Sequence, residues 1–348
     1  MLKPYSRTDL HFRLDEEIGA EGRNSQVYRA HDPQLDANLV IKKIGKISMD
    51  ADDYFRESSL LYGSAHSNVV PVLYACQDDE CIYLAMPLYA QGSLKTLMAV
   101  RALTVREIVV FSTQLLSGLH HIHSKRLVHF DIKPDNVLIS DRGEALLSDF
   151  GLAKPRDSNG IAGQDRLYGK MAPPESFRTE QFDHRFDIYQ FGLTLYRMCL
   201  GDADYYSQYS SFIVNGVLDR LRYKHAVMNS QFPDTAASKY PEHIPERIIS
   251  VVRKCLQTDP PDRYQSAIEI VNDMASVEGE LLDWQYQMTG GNRSWVKLSD
   301  KCEVRLDLND QWESQASKRS GDGAARRIKA FCGIKLNRQQ VKQFLREN

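Results

Sequence analysis

The stretch from His129 to Gly151, which reads HFDIKPDNVLISDRGEALLSDFG, limits the possible folds of this chain more than any other. Val137–Ile139 and Ala145–Leu147 are two short apolar runs, each typical of a buried strand. Asp141-Arg142-Gly143 between them supplies the residue types of a tight turn. The stretch therefore predicts a β-hairpin with polar residues at both of its outer ends.

Two acids and an amide flank this hairpin. Asp131 and Asn136 precede its first strand, and Asp149 follows its second strand. Because the first strand begins where the second ends, the hairpin brings these side chains to the same end of the structure. Such a group can hold Mg²⁺ and accept a proton, which the transfer of a phosphoryl group from ATP requires.

The motifs in this stretch resemble those of the eukaryotic-type protein kinases. HFDIKPDN stands where that family has its HRDxKxxN catalytic loop, and SDFG resembles the metal-binding motif of the family. The resemblance implies an α+β, bilobal fold with a β-rich N-lobe and a helical C-lobe. It covers residues 12–277, divided into an N-lobe of about 12–86, a hinge of 87–92 and a C-lobe of 93–277.

The resemblance also assigns roles to individual residues. Asp131 would orient the substrate hydroxyl and accept its proton, and Lys133 would neutralise charge on the transferring group. Lysine at this position resembles the Ser/Thr-directed subfamily. Lys42, at the end of a VIK strand, would reach the ATP phosphates, and Glu57 would pair with it and orient it. The implied Mg²⁺ ligands are Asn136 and Asp149.

The nucleotide site implied by the resemblance begins at Ile18–Ser25. This stretch resembles the glycine-rich loop that covers the phosphates, although a plain hairpin turn has the same composition. Val27 lies one residue too far from Gly19, so the loop carries an insertion and Gly22 takes the second glycine position. Val40 would share a strand face with Lys42. The predicted nucleotide-binding residues are Ile18, Gly19, Gly22, Val27, Val40, Lys42, Met86, Pro87, Tyr89 and Leu138.

Features of the C-terminal half support the same family. Pro173-Pro174-Glu175 resembles its APE motif, and Arg263 resembles the arginine that pairs with the glutamate of that motif. Asp187 resembles the aspartate that holds the backbone of the catalytic loop. These features argue against small-molecule kinases, which share the HxDxxxxN motif and a later acid but lack the APE-type segment. A capping box at Thr104–Glu107 predicts the start of a helix. Three histidines near its end, His120, His121 and His123, suggest structural or solvated roles rather than a metal site.

Two departures from the family pattern affect regulation and specificity. Phe130 replaces the arginine that pairs with a phosphorylated activation segment, so we hypothesise that activity does not depend on that contact. The activation segment, Leu152–Ala172, still offers Ser158 and Tyr168 as phosphorylation sites. LYGKMA precedes PPE, so that Tyr168 and Met171 stand where relatives have threonine and tyrosine. In the family, this segment contacts the substrate residue that follows the phosphorylated hydroxyl residue. Because the segment differs here, a non-peptide substrate remains an alternative.

Bulk properties indicate the cellular context. The formal net charge of -2 gives no general attraction to nucleic acid or membranes. The six cysteines are scattered without a CxxC pair, which is typical of reduced thiols inside cells. The N-terminus is too polar for a signal peptide, and no apolar run is long enough to span a bilayer. We therefore predict a cytoplasmic protein.

Two regions lie outside the family's motifs. Residues 202–245 form a tyrosine-rich connection, either a docking surface or the local packing of an insertion. Residues 278–348 predict a small basic α+β extension, or a strand pair with helices packed on the kinase. Its strands would be Trp295–Leu298 and Glu303–Leu308, and its helices Ala324–Phe331 and Gln339–Leu345.

From Lys318 onward the chain carries nine basic and two acidic residues. An acidic or nucleic-acid partner and a solvated helical face are both consistent with this excess. The basic residues are Lys318, Arg319, Arg326, Arg327, Lys329, Lys335, Arg338, Lys342 and Arg346.

Taken together, the sequence predicts a protein kinase that transfers the γ-phosphoryl group of Mg·ATP to Ser or Thr hydroxyls of proteins, itself included. The first alternative is a pseudokinase that binds nucleotide or acts as a scaffold. The altered glycine-rich loop, Phe130 and LYGKMA favour that alternative, whereas the presence of Asp131 argues against it. The second alternative is a kinase for a small molecule or nucleic acid.

Overall fold

The computed structural model describes residues 10–19, 25–46, 63, 65–300, 302–321 and 323–348. Gly22 and Glu57, two of the predicted site residues, lie outside these ranges. In the described part of the chain, we find no helix with the length and hydrophobicity that crossing a membrane requires.

The N-lobe is built on an antiparallel sheet with the strand order β1-β2-β3-β5-β4. The strands are β1 Arg13–Gly19, β2 Ser25–Asp32, β3 Ala37–Gly45, β4 Tyr74–Gln77 and β5 Cys81–Pro87. The strand predicted to end at Lys42 forms, but it continues to Gly45. Ile18 and Gly19 belong to β1 rather than to the predicted turn, and Gly19 pairs with Val27 of β2.

The two faces of this sheet pack differently, because side chains alternate along each strand. One face carries a small buried cluster of Ala30, Leu39, Ile41 and Ala85. On the other face Val27 lies opposite Lys42, and Val40 lies opposite Met86. Ile44 and Leu84 extend this second face into the main core that the sheet shares with the C-lobe. The sheet therefore presents Lys42 toward the catalytic loop.

The C-lobe is mostly helical. Its helices are α1 Leu94–Val100, α2 Val105–Ser124, α3 Arg185–Leu200, α4 Asp202–Ser210, α5 Arg220–Met228, α6 Glu246–Cys255 and α7 Ala267–Ala275. Its short strands are β6 Leu127–Val128, β7 Val137–Ile139, β8 Ala145–Leu147, β9 Lys154–Pro155, β10 Ala162–Gly163, β11 Gln181–Phe182, β12 Ile213–Val214 and β13 Val217–Leu218. They pair as β6-β9, β7-β8, β10-β11 and β12-β13. Short 3-10 turns cover Pro134–Asn136, Gly169–Met171, Pro174–Phe177 and Pro260–Asp262.

Helix α2 lies at the centre of the C-lobe and supports the catalytic loop. Its predicted capping box is confirmed: the Thr104 hydroxyl accepts a bond from the Glu107 N–H at 3.2 Å, and the Glu107 carboxylate accepts one from the Thr104 N–H at 2.9 Å. Apolar residues that recur at helical spacing along it are all buried, namely Ile108, Phe111, Leu115, Leu119 and Ile122. The predicted hairpin β7-β8 also forms, with Gly143 at a positive φ of 75° in its turn.

The three histidines of α2 have structural or solvent-facing positions, as predicted. His120 is exposed, and the ring of His121 stacks on His66 with centroids 4.9 Å apart. His123 is buried and bonds to Asp187. Among the residues that the structure describes, no group of three acidic, histidine or cysteine side chains forms a metal site.

The tyrosine-rich region packs locally rather than presenting its rings to solvent. Tyr205 and Tyr209 of α4 are buried and, with Tyr223 of α5, surround Phe232. Local packing of an insertion is therefore the better of the two interpretations for these rings. Tyr206 is half-buried and lies next to the segment that precedes Glu175.

The C-terminal residues form a second antiparallel sheet with a helix. The strands β14 Trp284–Thr289, β15 Asn292–Ser299, β16 Cys302–Leu308, β17 Ser314–Ser320 and β18 Arg326–Arg327 pair in chain order. Helix α8 Arg338–Glu347 follows a 3-10 turn at Lys329–Phe331. Phe344 and Leu345 of α8 are buried against Trp284 and Leu306. The two predicted strands and the last helix are confirmed.

The predicted helix Ala324–Phe331 is wrong. Arg326 and Arg327 instead pair with Lys318 and Ser317 at the edge of the sheet, and only a single 3-10 turn follows. An eight-residue helix is too short to be stable by itself, whereas the edge of β17 offers backbone partners. The predicted turn at Ser320–Gly323 consequently joins two strands.

The basic residues near the C-terminus are spread over several elements rather than one helical face. Lys318 and Arg319 belong to β17, Arg326 and Arg327 to β18, and only the last three to α8. Arg319 pairs with Glu303. The interpretation as a solvated helical face is therefore wrong, and the acidic or nucleic-acid partner stays a prediction.

The C-terminal sheet packs on the C-lobe through charged and aromatic contacts. Glu242 is fully buried and lies 3.2 Å from both Arg293 of β15 and Arg338 of α8. The Trp295 indole N–H donates to His243 Nδ1 at 3.3 Å. A buried carboxylate between two arginines is strongly destabilised when its partners are removed, so these contacts hold residues 284–347 in a fixed position.

His243 makes the folded state sensitive to acid. Burial lowers the pKa of its ring to about 3, well below the value of about 6.5 in an unfolded chain. Between these values the unfolded state binds more protons, so the stability present above pH 6.5 is lost as the pH falls. We expect this ring to lower the free energy of unfolding by about 2 kcal/mol between pH 6.5 and pH 5.

Urea unfolding at a series of pH values tests this expectation. His243→Asn keeps an acceptor for Trp295 but cannot titrate, so its stability should fall less steeply with acid. His120→Asn is the matched control because His120 is exposed. Parallel pH profiles for the wild type and His243→Asn would contradict the prediction.

Candidate active site

A buried carboxylate at the start of α3 holds the catalytic loop. Asp187 accepts hydrogen bonds from the backbone N–H groups of His129 and Phe130, both at 2.8 Å. It also lies 2.8 Å from His123 Nε2. Asp187 is the residue that the sequence assigns to this role, and the structure places it there.

A second residue of α3 was missed by the sequence reasoning. Gln190 accepts a bond from the Ile132 N–H at 2.9 Å and donates to the Phe130 carbonyl at 3.1 Å. It therefore fixes the backbone on both sides of Asp131. Asp187, Gln190 and Thr194 lie three to four residues apart among mostly apolar neighbours in α3, and such a polar stripe could have identified them.

Two residues of the site have left-handed backbone conformations. Phe130 has φ 66° and Asp149 has φ 59°, which are uncommon for residues other than glycine. Each costs of order 1–3 kcal/mol and persists only where surrounding contacts enforce it. For Phe130 the enforcing contacts come from Asp187 and Gln190.

Asp131 is buried with one engaged and one free oxygen. Its Oδ2 accepts bonds from Lys133 Nζ at 2.9 Å and from Asn136 Nδ2 at 2.8 Å. Its Oδ1 has no hydrogen-bond donor among the residues that the structure describes. A buried acceptor in this state costs about 1–3 kcal/mol, more when it is charged, so Oδ1 is suited to receive a donor from a bound molecule.

The environment of Asp131 makes it a stronger base than an ordinary aspartate. Burial raises the pKa of its carboxyl group, Lys133 opposes this effect, and the charge of Asp149 adds to it. The neighbouring His129 is fully buried, and burial lowers the pKa of its ring. His129 is thereby favoured in its neutral form, and its Nδ1 lies 3.3 Å from the Asp131 N–H.

Lys42 connects the N-lobe sheet to the acid that follows β8. Its Nζ donates to Asp149 Oδ1 at 2.8 Å, with the lysine almost buried and the aspartate 45% exposed. The Lys42 ammonium holds the pKa of Asp149 well below its usual range, so this carboxylate is ionised. Lys42 and Asp149, both predicted from the sequence as site residues, are thus in direct contact.

The oxygens left over in the site fit a magnesium ion. Asn136 uses Nδ2 for the Asp131 carbonyl and carboxylate, which leaves its Oδ1 without a donor in the described residues. Asp149 uses Oδ1 for Lys42 and for the Gly151 N–H, which leaves Oδ2. Mg²⁺ commonly takes one or two protein oxygens and completes its shell with phosphates and water.

Most of the predicted nucleotide-binding residues lie around the junction of the lobes. Val27, Val40, Lys42 and Met86 share one face of the N-lobe sheet, and Pro87 ends β5. Leu138 of β7 forms a backbone bridge to Ser93, which follows the hinge. Tyr89 is half-buried, Gly19 pairs with Val27, and Ile18 is 47% exposed. Their contacts with nucleotide stay predictions.

Phe130 anchors the activation segment through apolar contacts. Its ring is buried against Phe186 and Phe182, with centroids 4.9 Å and 5.9 Å away. Leu152, Ala162 and Leu167 of the segment complete this cluster. Apolar packing of a ring therefore takes the place of the arginine that the family pattern implies at this position.

Glu175 and Arg263 form the predicted ion pair. The two groups make bidentate contacts of 2.8 Å and 2.6 Å, and the arginine side chain is fully buried. Arg263 also donates to the carbonyls of Arg185 and Thr258. Because all of its donors are directed at acceptors, the pair fixes the end of the activation segment.

Arg197 is a further buried cation that the sequence reasoning missed. It contacts Asp202 at 2.7 Å and Asp135 of the catalytic loop at 3.6 Å. Lys95 of α1 also donates to Asp135, at 2.6 Å. This network joins the catalytic loop to α1, α3 and α4. Arg197 continues the polar spacing of α3, which is the signal that could have revealed it.

Comparison with known proteins agrees with this geometry. The family model described as the protein kinase domain matches residues 12–274. A probable serine/threonine-protein kinase of Clostridium acetobutylicum is 27% identical over 306 residues, which is 86% of this chain and 43% of that protein.

Two mycobacterial proteins give similar matches. The serine/threonine-protein kinase PknJ of Mycobacterium tuberculosis is 26% identical over 76% of this chain and 45% of its own length. PknL of the same species is 27% identical over 75% of this chain and 64% of its own length. The chain thus spans less than two thirds of these relatives, but the family model covers more than half of the chain. The chain belongs to the protein kinase domain family.

Proposed function

We propose that this protein transfers the γ-phosphoryl group of Mg·ATP to Ser or Thr hydroxyls of protein substrates, including its own. The free oxygen of Asp131 carries the proposal. A buried, ionisable oxygen that lacks a donor among the described residues, beside Lys133 and close enough to feel the charge of Asp149, is what a substrate hydroxyl requires. The names of the relatives support serine and threonine as acceptors.

In this proposal each residue acts through an atom already described. Asp131 Oδ1 accepts the hydrogen bond of the substrate hydroxyl and then its proton. Lys133, held 2.9 Å from Asp131 Oδ2, offers its charge to the transferring group. Lys42 binds phosphate oxygens from the N-lobe side. Positioning and charge stabilisation of this kind supply most of the catalysis in phosphoryl transfer.

The family uses ATP and typically Mg²⁺, and the residues present fit both. Asn136 and Asp149 would hold the metal through their remaining oxygens, with Val27, Val40, Met86 and Leu138 against adenine. When bound, Mg²⁺ neutralises phosphate charge that would otherwise repel Asp149 and Asp131. Glu57 as the partner of Lys42 is part of the same proposal and lies outside the described residues.

Autophosphorylation with γ-labelled Mg·ATP tests the proposed function. The wild type should label Ser or Thr residues, and Asp131→Ala should lose about 10²–10⁴-fold in rate because the proton acceptor is gone. Asp141→Ala, in the exposed turn of the β7-β8 hairpin, is the matched control and should label normally. A wild type that ATP stabilises against heating but that never transfers label would favour the pseudokinase.

The pH dependence of the rate tests the role of Lys133. Activity should fall on the acid side as Asp131 takes up a proton, at a pH above the ordinary aspartate range because its pKa is raised. Lys133 lowers this pKa, so Lys133→Met should move the acid limb to higher pH as well as reduce kcat. A lower kcat with an unmoved acid limb would show that Lys133 does not influence Asp131.

The apolar anchoring of the activation segment predicts activity that is independent of its phosphorylation. Phosphatase treatment or Ser158→Asp should leave the rate of the wild type unchanged. Phe130→Ala should cost about 3–5 kcal/mol of stability and increase proteolysis between residues 152 and 170, since it empties the cluster. Phe130→Leu keeps most of the volume and should cost less. Activation of the wild type by phosphorylation of this segment would disprove the hypothesis.

A further inference from the structure

We propose that Lys170, with the rings of Tyr206 and Tyr209, forms a binding subsite for an acidic side chain of the peptide substrate. The inference rests on the proposed transfer to a protein hydroxyl and adds a preference that this site would impose. Four observations support it: the position of Lys170, the fixation of its backbone, its aromatic surroundings and its lack of an acidic partner.

Lys170 lies close to the acceptor site. The ring of Tyr168 lies over Lys133 Nζ at 4.3 Å, and that nitrogen is 2.9 Å from Asp131. Lys170 follows Tyr168 by two residues, a distance of at most about 7 Å along the chain. An extended peptide advances about 3.3 Å per residue, so a peptide that presents its hydroxyl to Asp131 reaches Lys170 within a few residues.

The backbone at Lys170 is fixed from below by two tyrosines. The Tyr205 hydroxyl donates to the Lys170 carbonyl, and the Tyr223 hydroxyl lies 3.2 Å from the Gly169 carbonyl. The next residue, Met171, is fully buried. The chain at this point is therefore held in place before any substrate binds, which reduces the entropy lost on binding.

The ammonium group of Lys170 is placed between aromatic rings. Its Nζ lies 5.2 Å from the centroids of both Tyr206 and Tyr209, within the range of cation–π attraction. The ring faces orient the ammonium group but carry no net charge, so its positive charge is not neutralised. Lys170 is half-exposed, which leaves one side of the charge accessible to a ligand.

The acidic side chains of α4 already bind groups other than Lys170. Asp202 of α4 forms the ion pair with Arg197, and Asp204 accepts bonds from Tyr196 and Gln208. Among the described residues, no carboxylate lies within salt-bridge distance of Lys170. An oriented, uncompensated cation beside the acceptor site attracts an acidic substrate residue and repels a basic one.

Peptide kinetics test this subsite. Peptides of equal length would each contain one serine and would carry Glu, Gln or Lys at one of the three positions on either side, which gives three peptides for each position. We expect the wild type to prefer Glu to Gln by about tenfold in kcat/KM at one of these positions, since one charge-assisted contact is worth about 1.4 kcal/mol. The difference should lie mainly in KM, and Lys at that position should be the poorest.

Charge reversal supplies the decisive comparison. Lys170→Glu should reverse the order so that Lys is preferred, and Lys170→Met should abolish the difference between Glu and Gln. Arg220→Glu, an equal charge change at an exposed residue of α5, should retain the wild-type order. Equal kcat/KM values for the three peptides at every position, or a preference for Glu that survives Lys170→Glu, would overturn the subsite. A wild type that phosphorylates none of these peptides and does not label itself would instead refute the proposed function.

Discussion

The carboxylate of Asp187 is the interaction on which the rest of the site depends. It binds two consecutive backbone N–H groups and a histidine ring in the interior of the C-lobe, and it is completely buried. Without it, two buried donors would be unsatisfied and the left-handed turn at Phe130 would lose its support. Gln190, one turn later in α3, binds the backbone in the same way. Phe130 and Ile132, the two neighbours of Asp131, are therefore both bonded to a single helix.

Around the contacts of Asp187 and Gln190, ion pairs and apolar packing play different roles. Ion pairs at Lys42–Asp149 and Glu175–Arg263 connect segments that are distant in sequence, and their bond directions fix orientation. The apolar cluster around Phe130 holds the activation segment through buried surface rather than through directional bonds. Unlike an arginine–phosphate contact, apolar burial is not weakened by ionic screening and does not require a modified hydroxyl. Apolar packing therefore holds this segment in the described structure.

The sequence was informative where several local signals agreed. For the hairpin between Asp131 and Asp149, turn residues, apolar runs and flanking acids all indicated one structure, which formed at the predicted residues. The predicted helix Ala324–Phe331 did not form because pairing at a sheet edge outweighed local helix propensity. Gln190 and Arg197 were missed because their partners are backbone groups and loop acids, which become neighbours only when α3 packs under the catalytic loop.

The contact between Glu242 and the C-terminal sheet has a consequence for how this protein could have evolved. A catalytic unit ending near residue 274 would leave a buried carboxylate without its two arginines and would deprive His243 of its contact with Trp295. The extension therefore cannot be exchanged as an independent module between relatives. Recombination at this junction would require simultaneous replacement of the Ser238–His243 loop, so the loop and the sheet are expected to be inherited together.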